Sequence, residues 1–498
     1  MHRPSRLRRH PLAVAALLAT ALAALSLAVG PVVAGYDPLA WLAWGRELAA
    51  GGLDTREGPA FKPLPVLAIA PVAGLLGDDA ALHWWLLLAR AAALLAVGFA
   101  AILAWRSVRG DGPRTAGADA IAAGAALLAA GGVLLTGDWL RHGLPGAAEP
   151  LVVLAALGAL LERRAGRDGR AWAWTLVAVL LRPESWPFAG AFGLWLLLRR
   201  RPPARGRLRL AVLATAPLLP LLWIVPEWWG SGDPGRSSAR ARIPNPGQPA
   251  LDAHPFARSL DEALSLAVWP LLVVLAVAAV VALLARRRWS AADRELLALA
   301  GGGAAWVLLV AAMSEAGYSG EARYQLPGVA LLTVAGAIAA GRLARAARGR
   351  SAGEARASRR PGPALAAPVA AVLLVATAAV AVERGGDLAA DWRRTRVDAR
   401  TQQALWRAVA RAGGRDAILR CGRPVIGRFR APQLAWPLDV AKAVVDEHPL
   451  PAPSVVFSGP LVPGAPATPA APAGHREIAR AGPWRVLARC REDAVRSR

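Results

Sequence analysis

The sequence predicts an all-α polytopic membrane protein that carries a small C-terminal α/β domain. First, 55% of the 498 residues are hydrophobic, and apolar runs of about 20 residues, the length of a membrane-spanning helix, recur from the N-terminus onward. Second, the arginines that produce the net charge of +25 cluster between these runs, as positive-inside topology requires. Third, the apolar runs stop before residue 383. These observations exclude a soluble protein. Because no nucleic-acid motif accompanies the charge, nucleic acid is not an expected partner.

The Arg-rich connections predict about nine full crossings and one hairpin of half-length helices, with the N-terminus in the cytoplasm and the C-terminus outside. Val32 and Ala34 mimic a signal-peptidase site, but the first run is longer than a usual signal core, so an uncleaved span is favoured. We expect a transmembrane domain over 1–382 and an extracytoplasmic domain over 383–498. The expected crossings are 11–34, 82–105, 118–136, 150–161, 210–225, 263–285, 296–313, 325–343 and 363–382.

The hairpin is the most unusual part of this pattern. The apolar segments 171–181 and 186–198 are each roughly half as long as a span requires. The sequence before the first segment and the sequence after the second are both Arg-rich. Arg182, Pro183 and Glu184 lie between them. The pattern predicts two half-helices with a charged tip at membrane depth, where charges usually pair or line a polar cavity. A role of this tip in a site is favoured over a purely structural contact between Arg182 and Glu184.

A polar loop, residues 35–65, separates the first span from the next apolar segment. Its first half predicts a short helix in the membrane interface, with Trp41 and Trp44 on one face. Asp37 at the start of this helix has two interpretations: an N-cap, or a carboxylate held at the membrane surface for chemistry. Lys62 is one of only two lysines in a chain that otherwise uses arginine.

Two further segments bring acidic and histidine side chains to the same expected side. Asp79 and His83 are spaced i,i+4 and would share a helix face that could bind a metal, but a helix cap at the start of the second span is the favoured interpretation. The loop GDWLRHGLPGAAEP, residues 137–150, carries Asp138, His142 and Glu149. Glu149 is either a first-turn acid on the helix dipole or a second carboxylate that faces the first loop.

These charges suit group transfer from a phosphate-linked lipid. Asp37 or Glu149 would deprotonate the attacking hydroxyl, while Lys62, Arg182 and Arg323 would neutralise the leaving phosphate. The expected supporting residues are Glu184, Asp138 and His142. The sequence contains no P-loop, dinucleotide fingerprint, nucleophile elbow or clustered Cys/His metal site.

The tail predicts a small mixed domain without a catalytic motif. A helix is expected over 391–412 and a loop over 460–474. Strands are expected over 417–419, 454–457 and 484–487. The only two cysteines, Cys421 and Cys490, both lie in this tail, and a disulfide between them is expected if the tail is outside the cytoplasm.

Four short motifs resemble the GT-C superfamily of integral-membrane glycosyltransferases, especially its bacterial mannosyltransferase-like members. They are YDPLAW from Tyr36, FKPLP from Phe61, LRPESWPF from Leu181 and ARYQLP from Ala322. The resemblance covers Leu12 to about Val382. It implies a GT-C-like fold, a polyprenyl-phosphate-linked sugar as donor, and a catalytic acid in the first outer loop, which here falls on Asp37.

The resemblance also implies an acceptor in the cell envelope, a glycan, lipid or protein, reached on the outer side of the cytoplasmic membrane. Tyr36 and Pro38 flank a single Asp, whereas the common family pattern is an adjacent acidic pair. The resemblance implies no cofactor with certainty, and it leaves open whether the protein uses a divalent cation.

A different class of function is a non-enzymatic polytopic protein, either a transporter of lipid-linked sugars or an envelope assembly scaffold. A transporter would more often show related halves, and the sequence contains no convincing internal repeat. A scaffold would not need the charges of Arg182 and Glu184 at membrane depth. Both observations favour the enzyme.

Overall fold

The computed structural model describes residues 11–110, 115–199, 205–284, 291–354, 366–460 and 465–490. The basic segments at 1–10, 200–201, 286–288 and 355–360 lie outside the described residues. Fifteen helices precede the C-terminal part: α1 (Pro11–Val29), α2 (Tyr36–Ala49), α3 (Pro63–Leu76), α4 (Asp78–Arg109), α5 (Ala116–Leu134), α6 (Trp139–Gly143), α7 (Glu149–Arg164), α8 (Asp168–Leu181), α9 (Trp186–Leu198), α10 (Arg205–Ser231), α11 (Arg236–Ala241), α12 (Pro255–Leu266), α13 (Trp269–Leu284), α14 (Ala291–Glu315) and α15 (Leu326–Glu354). Short 3₁₀ turns cover Pro183–Ser185, Pro249–Leu251 and Ala322–Gln325.

The predicted multi-pass helical architecture is confirmed. Within the described part of the chain, six helices are long and apolar enough to cross a membrane, or seven if a bent pair counts as one span. The six are α1, α4, α5, α10, α14 and α15 with its preceding 3₁₀ turn. Of the other expected crossings, 150–161 lies in the 16-residue helix α7, and 363–382 overlaps the start of a longer helix.

The bent pair replaces the single span that was expected over 263–285. Helices α12 and α13 meet at an angle of 106°. Pro270, the second residue of α13, has no backbone N–H to donate to the carbonyl of Leu266 four residues earlier, so a continuous helix would lose a hydrogen bond here. Ala267, directly after α12, is extended. Proline chemistry therefore divides a segment that hydrophobicity alone predicts to be continuous.

Helix α2 begins two residues earlier than the capping interpretation requires. Gly35 is its N-cap and makes no side-chain cap bond, so Asp37 is the second helical residue. The interpretation of Asp37 as an N-cap is therefore wrong. Near the other end of α2, Gly45 lets α3 approach closely, because a Cβ there would lie 2.4 Å from a methyl carbon of Ile69.

Helices α8 and α9 with the Pro183–Ser185 turn form the predicted hairpin of short helices. A core of large side chains joins the first loop to this hairpin and to the spans around it. It includes Trp41, Trp44, Trp85, Leu181 and Trp306. The first loop therefore packs as part of the helical bundle.

The C-terminal part contains α16 (Ala366–Arg411), α17 (Gly414–Cys421), α18 (Ala431–Leu438) and a sheet. Its strands are β1 (Arg423–Ile426), β2 (Ser454–Pro460), β3 (Ala467–Thr468), β4 (Arg476–Ala481) and β5 (Trp484–Arg489). The order is β1-β2-β5-β4, with β3 beside β2; β1 is parallel to β2 and the other pairs are antiparallel. We call residues 414–460 and 465–490 the sheet domain. The expected boundary at 382/383 falls inside the continuous helix α16, and the division into two domains stays a proposal.

Two of the three expected strands of the tail are confirmed, as parts of β2 and β5. The third, over 417–419, is wrong, because these residues lie in α17. Buried Ile418 and Cys421 are three positions apart, which is helical spacing, and the exposed side chain of Asp416 lies on the opposite face. A disulfide joins Cys421 to Cys490.

Candidate active site

Asp37 lies between two cations. Its Oδ2 is 3.2 Å from Nη1 of Arg323 and 3.7 Å from Nζ of Lys62. Only 7% of Asp37 is exposed, and Lys62 is equally buried. The ring of Trp41 lies 4.9 Å from Nζ of Lys62, so a cation–π contact also holds the ammonium group. Asp37 reaches these cations because its position inside the first helical turn leaves its carboxylate free of the backbone.

Arg182, at the hairpin tip, holds two more carboxylates. It donates from Nη2 to Glu184 over 2.6 Å and from Nε to the other oxygen of Glu184 over 3.2 Å, while its Nη1 bonds Glu149. The ring of Tyr324 stacks 3.9 Å from the guanidinium carbon. The contact of Arg182 with Glu184 that the sequence suggested is therefore present, and Glu149 extends it to α7.

Arg323 connects the two groups. Its Nε lies 4.0 Å from Glu149 and 3.0 Å from Glu321. Three buried carboxylates (Asp37, Glu149, Glu184) thus face three cations (Lys62, Arg182, Arg323) in one network. The sequence placed all six of these residues in the candidate site and suggested the contact of Arg182 with Glu184, but it did not indicate the other pairs.

Two cavities meet at this network. The first, of 340 Å³, is lined by Asp37, Lys62, Arg182, Glu184 and Arg323 among others. The second, of 640 Å³, lies toward α6 and α16. Tyr36, Asp37 and Arg323 line both, so the carboxylate of Asp37 stands where the two spaces join. Glu149 lines neither cavity.

The supporting pair Asp138 and His142 belongs to the second cavity. His142 and Arg141 line it, and Asp138 lies 3.8 Å from Nε2 of His142 and 3.4 Å from Nη1 of Arg141. Helix α16 contributes Arg394 to the same lining. These side chains give the second cavity a polar, mainly basic wall beside Asp37.

The carboxylates of the network do not fit a metal site. Asp37, Glu149 and Glu184 each already contact an Arg or Lys side chain, so a protein cation takes the position that a metal ion would need. Over the described ranges, no group of three or more His, Cys, Asp or Glu side chains is arranged to hold a metal ion.

Asp79 and His83 lie at the start of α4, outside the charged network. The exposed ring of His83 contacts the backbone oxygen of Asp79, with 2.7 Å between Nδ1 and O. The N-cap of α4 is Gly77, with no side-chain cap bond. The capping interpretation is therefore also wrong for Asp79.

Charge and burial act in opposite directions on the pKa values in the first loop. Burial opposes ionisation of Asp37, but Arg323, Lys62 and Arg182 outweigh it, so the pKa of Asp37 lies below its ordinary value of 3.8. Burial lowers the pKa of Lys62, and Asp37 opposes that effect. Asp37 is therefore an ionised carboxylate at neutral pH.

A second buried ion pair, which sequence reasoning missed, fixes the loop that ends at Lys62. Glu227 on α10 accepts a hydrogen bond from the N–H of Phe61 over 3.2 Å. Arg236 on α11 lies 3.4 Å from Glu227 and donates to the carbonyls of Gly58 and Pro59 over 2.8 Å and 2.7 Å. The contacts join segments more than 160 residues apart, and no local pattern in the sequence indicates them.

No family model matches the chain, and no curated protein matches it. Two solved structures do: crystal structures of ArnT from Cupriavidus metallidurans, one bound to undecaprenyl phosphate and one in the apo state. Their TM-scores are 0.52 and 0.51; each is 15% identical to this chain over 96% of it and 97% of ArnT. The chain therefore shares the fold of these ArnT structures, which agrees with the predicted polytopic helical fold with a small C-terminal domain.

Proposed function

We propose that this protein is a membrane glycosyltransferase that moves a sugar from a polyprenyl-phosphate donor to a cell-envelope acceptor on the outer side of the cytoplasmic membrane. The observation that carries the proposal is the position of Asp37, an ionised carboxylate between Lys62 and Arg323 at the junction of two cavities. The same fold in ArnT binds undecaprenyl phosphate, which supports a lipid of this chemistry as donor.

The donor phosphate is assigned to the first cavity. Lys62, Arg182 and Arg323 line it, and their N–H groups can neutralise phosphate charge. An apolar cleft of 1220 Å³ begins beside the hairpin tip at Ser185 and continues past Phe188 and Trp306. A polyprenyl chain in this cleft would leave its phosphate at the hairpin tip, next to Arg182.

The acceptor is assigned to the second cavity, so that the two substrates meet at Asp37. The acceptor hydroxyl oxygen attacks the anomeric carbon of the donor sugar, and its proton passes to a carboxylate oxygen of Asp37. The bond between the anomeric carbon and the phosphate oxygen breaks, and its electron pair leaves with the polyprenyl phosphate. The cations stabilise the charge that develops on this leaving group.

We assign an orienting role to Glu149, in place of the catalytic role weighed for it above. Glu149 lines neither cavity and bonds Arg182, whereas Asp37 lines both. Together with Glu184, it fixes the guanidinium plane of Arg182 toward the first cavity.

The test is a transfer assay with purified protein in nanodiscs. Undecaprenyl phosphates that carry radiolabelled glucose, mannose or arabinose are incubated with envelope extract, and label is followed into polar lipid, glycan and protein fractions. We expect transfer of at least one sugar into one fraction. Undecaprenyl-phosphate binding without transfer of any sugar would instead favour a non-enzymatic carrier of lipid-linked sugars.

The proposed orientation predicts which engineered cysteines are accessible from outside intact cells. Both native cysteines are joined in a disulfide, so the background of thiol labelling is low. Gly52→Cys in the first loop and Ala473→Cys in the sheet domain should react with a membrane-impermeant maleimide. Gly353→Cys, at the end of α15, should react only after the membrane is permeabilised. Labelling of Gly353→Cys in intact cells would refute the orientation.

A further inference from the structure

A strained aromatic residue of the sheet domain borders the first cavity. Phe429 lies in the loop between β1 and α18 and lines the first cavity together with Asp37 and Lys62. Its φ is +64°, a left-handed conformation that costs a bulky residue energy. Its side chain is 42% exposed. Neither the strain nor the exposure benefits folding, which points to a function of the ring.

The loop around Phe429 is held firmly. Arg430 donates to the carbonyl of Pro460 and to the side chain of Gln433, each over 3.1 Å, and its guanidinium lies over Trp484. These contacts fix the residue that follows Phe429 against the sheet. The exposed ring is therefore presented by a rigid support.

The sheet domain itself is fixed to the first loop. Arg46 on α2 lies 2.9 Å from Asp439 and donates to the carbonyl of Trp436 over 3.1 Å. Lys442 lies 3.2 Å from Glu57. The contacts of Arg46 set the distance between Phe429 and the charged network across the cavity.

The order of the donor's parts indicates what the ring contacts. The apolar cleft leaves the hairpin tip at Ser185 along Phe188 and Trp306, and the cations at the tip are assigned to the phosphate. The donor group beyond the phosphate is the sugar, and it must extend away from the cleft, into the remainder of the first cavity. That remainder is bordered by Phe429 and by polar side chains that can bond hydroxyl groups, namely Arg240, Asn245, Gln248 and Tyr318.

We propose that Phe429 forms an aromatic platform on which the apolar face of the donor's sugar ring packs, so that the sheet domain takes part in choosing the sugar. The proposal rests on the proposed function, because it requires a lipid-linked sugar in the first cavity. An aromatic ring offers a flat apolar surface, and the C–H face of a pyranose or furanose ring matches it, while the polar side chains bond the hydroxyl groups.

The experiment measures the binding of two lipids to purified protein in nanodiscs by microscale thermophoresis. One is undecaprenyl phosphate, and the other is undecaprenyl phosphate that carries the sugar the wild type transfers. Phe429→Ala should weaken binding of the sugar-bearing lipid about 3- to 10-fold, the size of one aromatic packing contact. It should leave the affinity for undecaprenyl phosphate unchanged. Phe429→Tyr should keep both affinities.

Two control variants separate the platform from a general effect on folding. Ile478→Ala removes an exposed apolar side chain on β4 of the same domain, away from the cavity lining, and should change neither affinity. Phe429→Gly removes the ring and also the strain, because glycine adopts positive φ without steric cost. It should lose sugar affinity as Phe429→Ala does, yet unfold at a higher temperature than Phe429→Ala.

Equal weakening of both lipids by Phe429→Ala would place the ring on the phosphate or the prenyl chain and overturn the platform. Unchanged binding of both lipids would overturn it as well, while transfer by the wild type would leave the proposed function standing. A wild type that binds neither lipid would overturn the proposed function and the platform together.

Discussion

Replacing Asp37 by Asn should abolish sugar transfer and leave the protein folded. The amide keeps the shape of the carboxylate and can still accept hydrogen bonds from Lys62 and Arg323, but it cannot take a proton from the acceptor. Loss of a positioned base costs about two to four powers of ten in rate. The measurement is the single-turnover rate of transfer from the donor that the wild type uses.

Binding distinguishes this loss from structural damage. Asp37→Asn removes the negative charge between two cations that are assigned to the donor phosphate. We therefore expect the variant to bind undecaprenyl phosphate at least as tightly as the wild type does. Weaker binding, together with slower transfer, would show that Asp37 mainly shapes the site.

The matched control is Glu57→Gln, which removes one carboxylate of the same loop at the surface, where Glu57 contacts Lys442. It should change the transfer rate less than two- to threefold, since exposed ion pairs are worth only about 0–1 kcal/mol. A rate for Asp37→Asn within a few-fold of the wild type would remove Asp37 from the catalytic role, and Glu184, the other carboxylate of the network that lines the first cavity, would be the next to test.

The lowered pKa of Asp37 predicts how the transfer rate depends on pH. This pKa lies below 3.8, so the ion pairs of Asp37 stabilise the fold above pH 3.8. The stabilisation is lost as the pH falls through the pKa that Asp37 has in the folded protein. Protonation of Asp37 should therefore not reduce the transfer rate between pH 5 and pH 8. A decline of the wild-type rate in this range must come from another group, and the control variant should share it.

Local patterns in the sequence predicted the elements that carry the site. The first loop was recognisable because a polar, Gly- and Pro-punctuated stretch separates two apolar ones. The hairpin was recognisable because its two apolar segments are too short to cross and Arg182 and Glu184 lie between them. Both inferences depend on residues that are close along the chain, so one sequence suffices for them.

The long-range pairing of charges and the role of the sheet domain could not be predicted from the sequence. Arg182 bonds Glu149, which is 33 positions away, and Arg46 bonds the backbone of Trp436, which is 390 positions away. Which helices become neighbours is decided by packing over the whole bundle, and apolar spans of similar composition give no signal for it. Phe429 was missed for this reason, since nothing near it in the sequence marks it as part of a cavity.

The wrong cap assignments have a shared physical cause. Asp37 and Asp79 each lie two residues after a glycine at a helix start, where an acidic side chain commonly caps the helix. In both helices glycine takes the N-cap position, and the carboxylate is displaced into the first turn. For Asp37 this displacement allows contact with Lys62 and Arg323.

Replacing Arg182 by Ala should destabilise the protein more than any other single change in the site. Only 3% of Arg182 is exposed, and it bonds Glu149 and Glu184, which are also buried. Removing it leaves two carboxylates in a poorly solvated environment without their main partner, and breaking one buried pair alone costs about 3–5 kcal/mol. We expect a fall in unfolding temperature in detergent, measured by intrinsic tryptophan fluorescence, and no detectable transfer.

A less disruptive variant tests the binding role of Arg182. Arg182→Lys keeps one positive charge but loses the planar guanidinium. That plane stacks on Tyr324 while it bonds both oxygens of Glu184 and one of Glu149, and an ammonium group cannot make this combination of contacts. Its stability should lie between those of the wild type and Arg182→Ala. If Arg182 holds the donor phosphate, Arg182→Lys should also weaken binding of undecaprenyl phosphate, and sugar-bearing and sugar-free lipids should be affected equally.

The stability effect of Arg182→Ala should be reversible by neutralising its partners, which separates it from the loss of function. In the triple variant Arg182→Ala, Glu149→Gln, Glu184→Gln, no unpaired carboxylate remains at the tip, so its unfolding temperature should rise above that of Arg182→Ala, while transfer stays absent. Arg258→Ala is the matched control, because it removes an exposed ion pair with Glu262 on the same helix. It should lower the free energy of unfolding by at most about 1 kcal/mol. If the triple variant were no more stable than Arg182→Ala, the cost would lie in lost packing against Tyr324. If the triple variant regained transfer, Arg182 would have no part in binding the donor phosphate, and Lys62 and Arg323 alone would have to hold it.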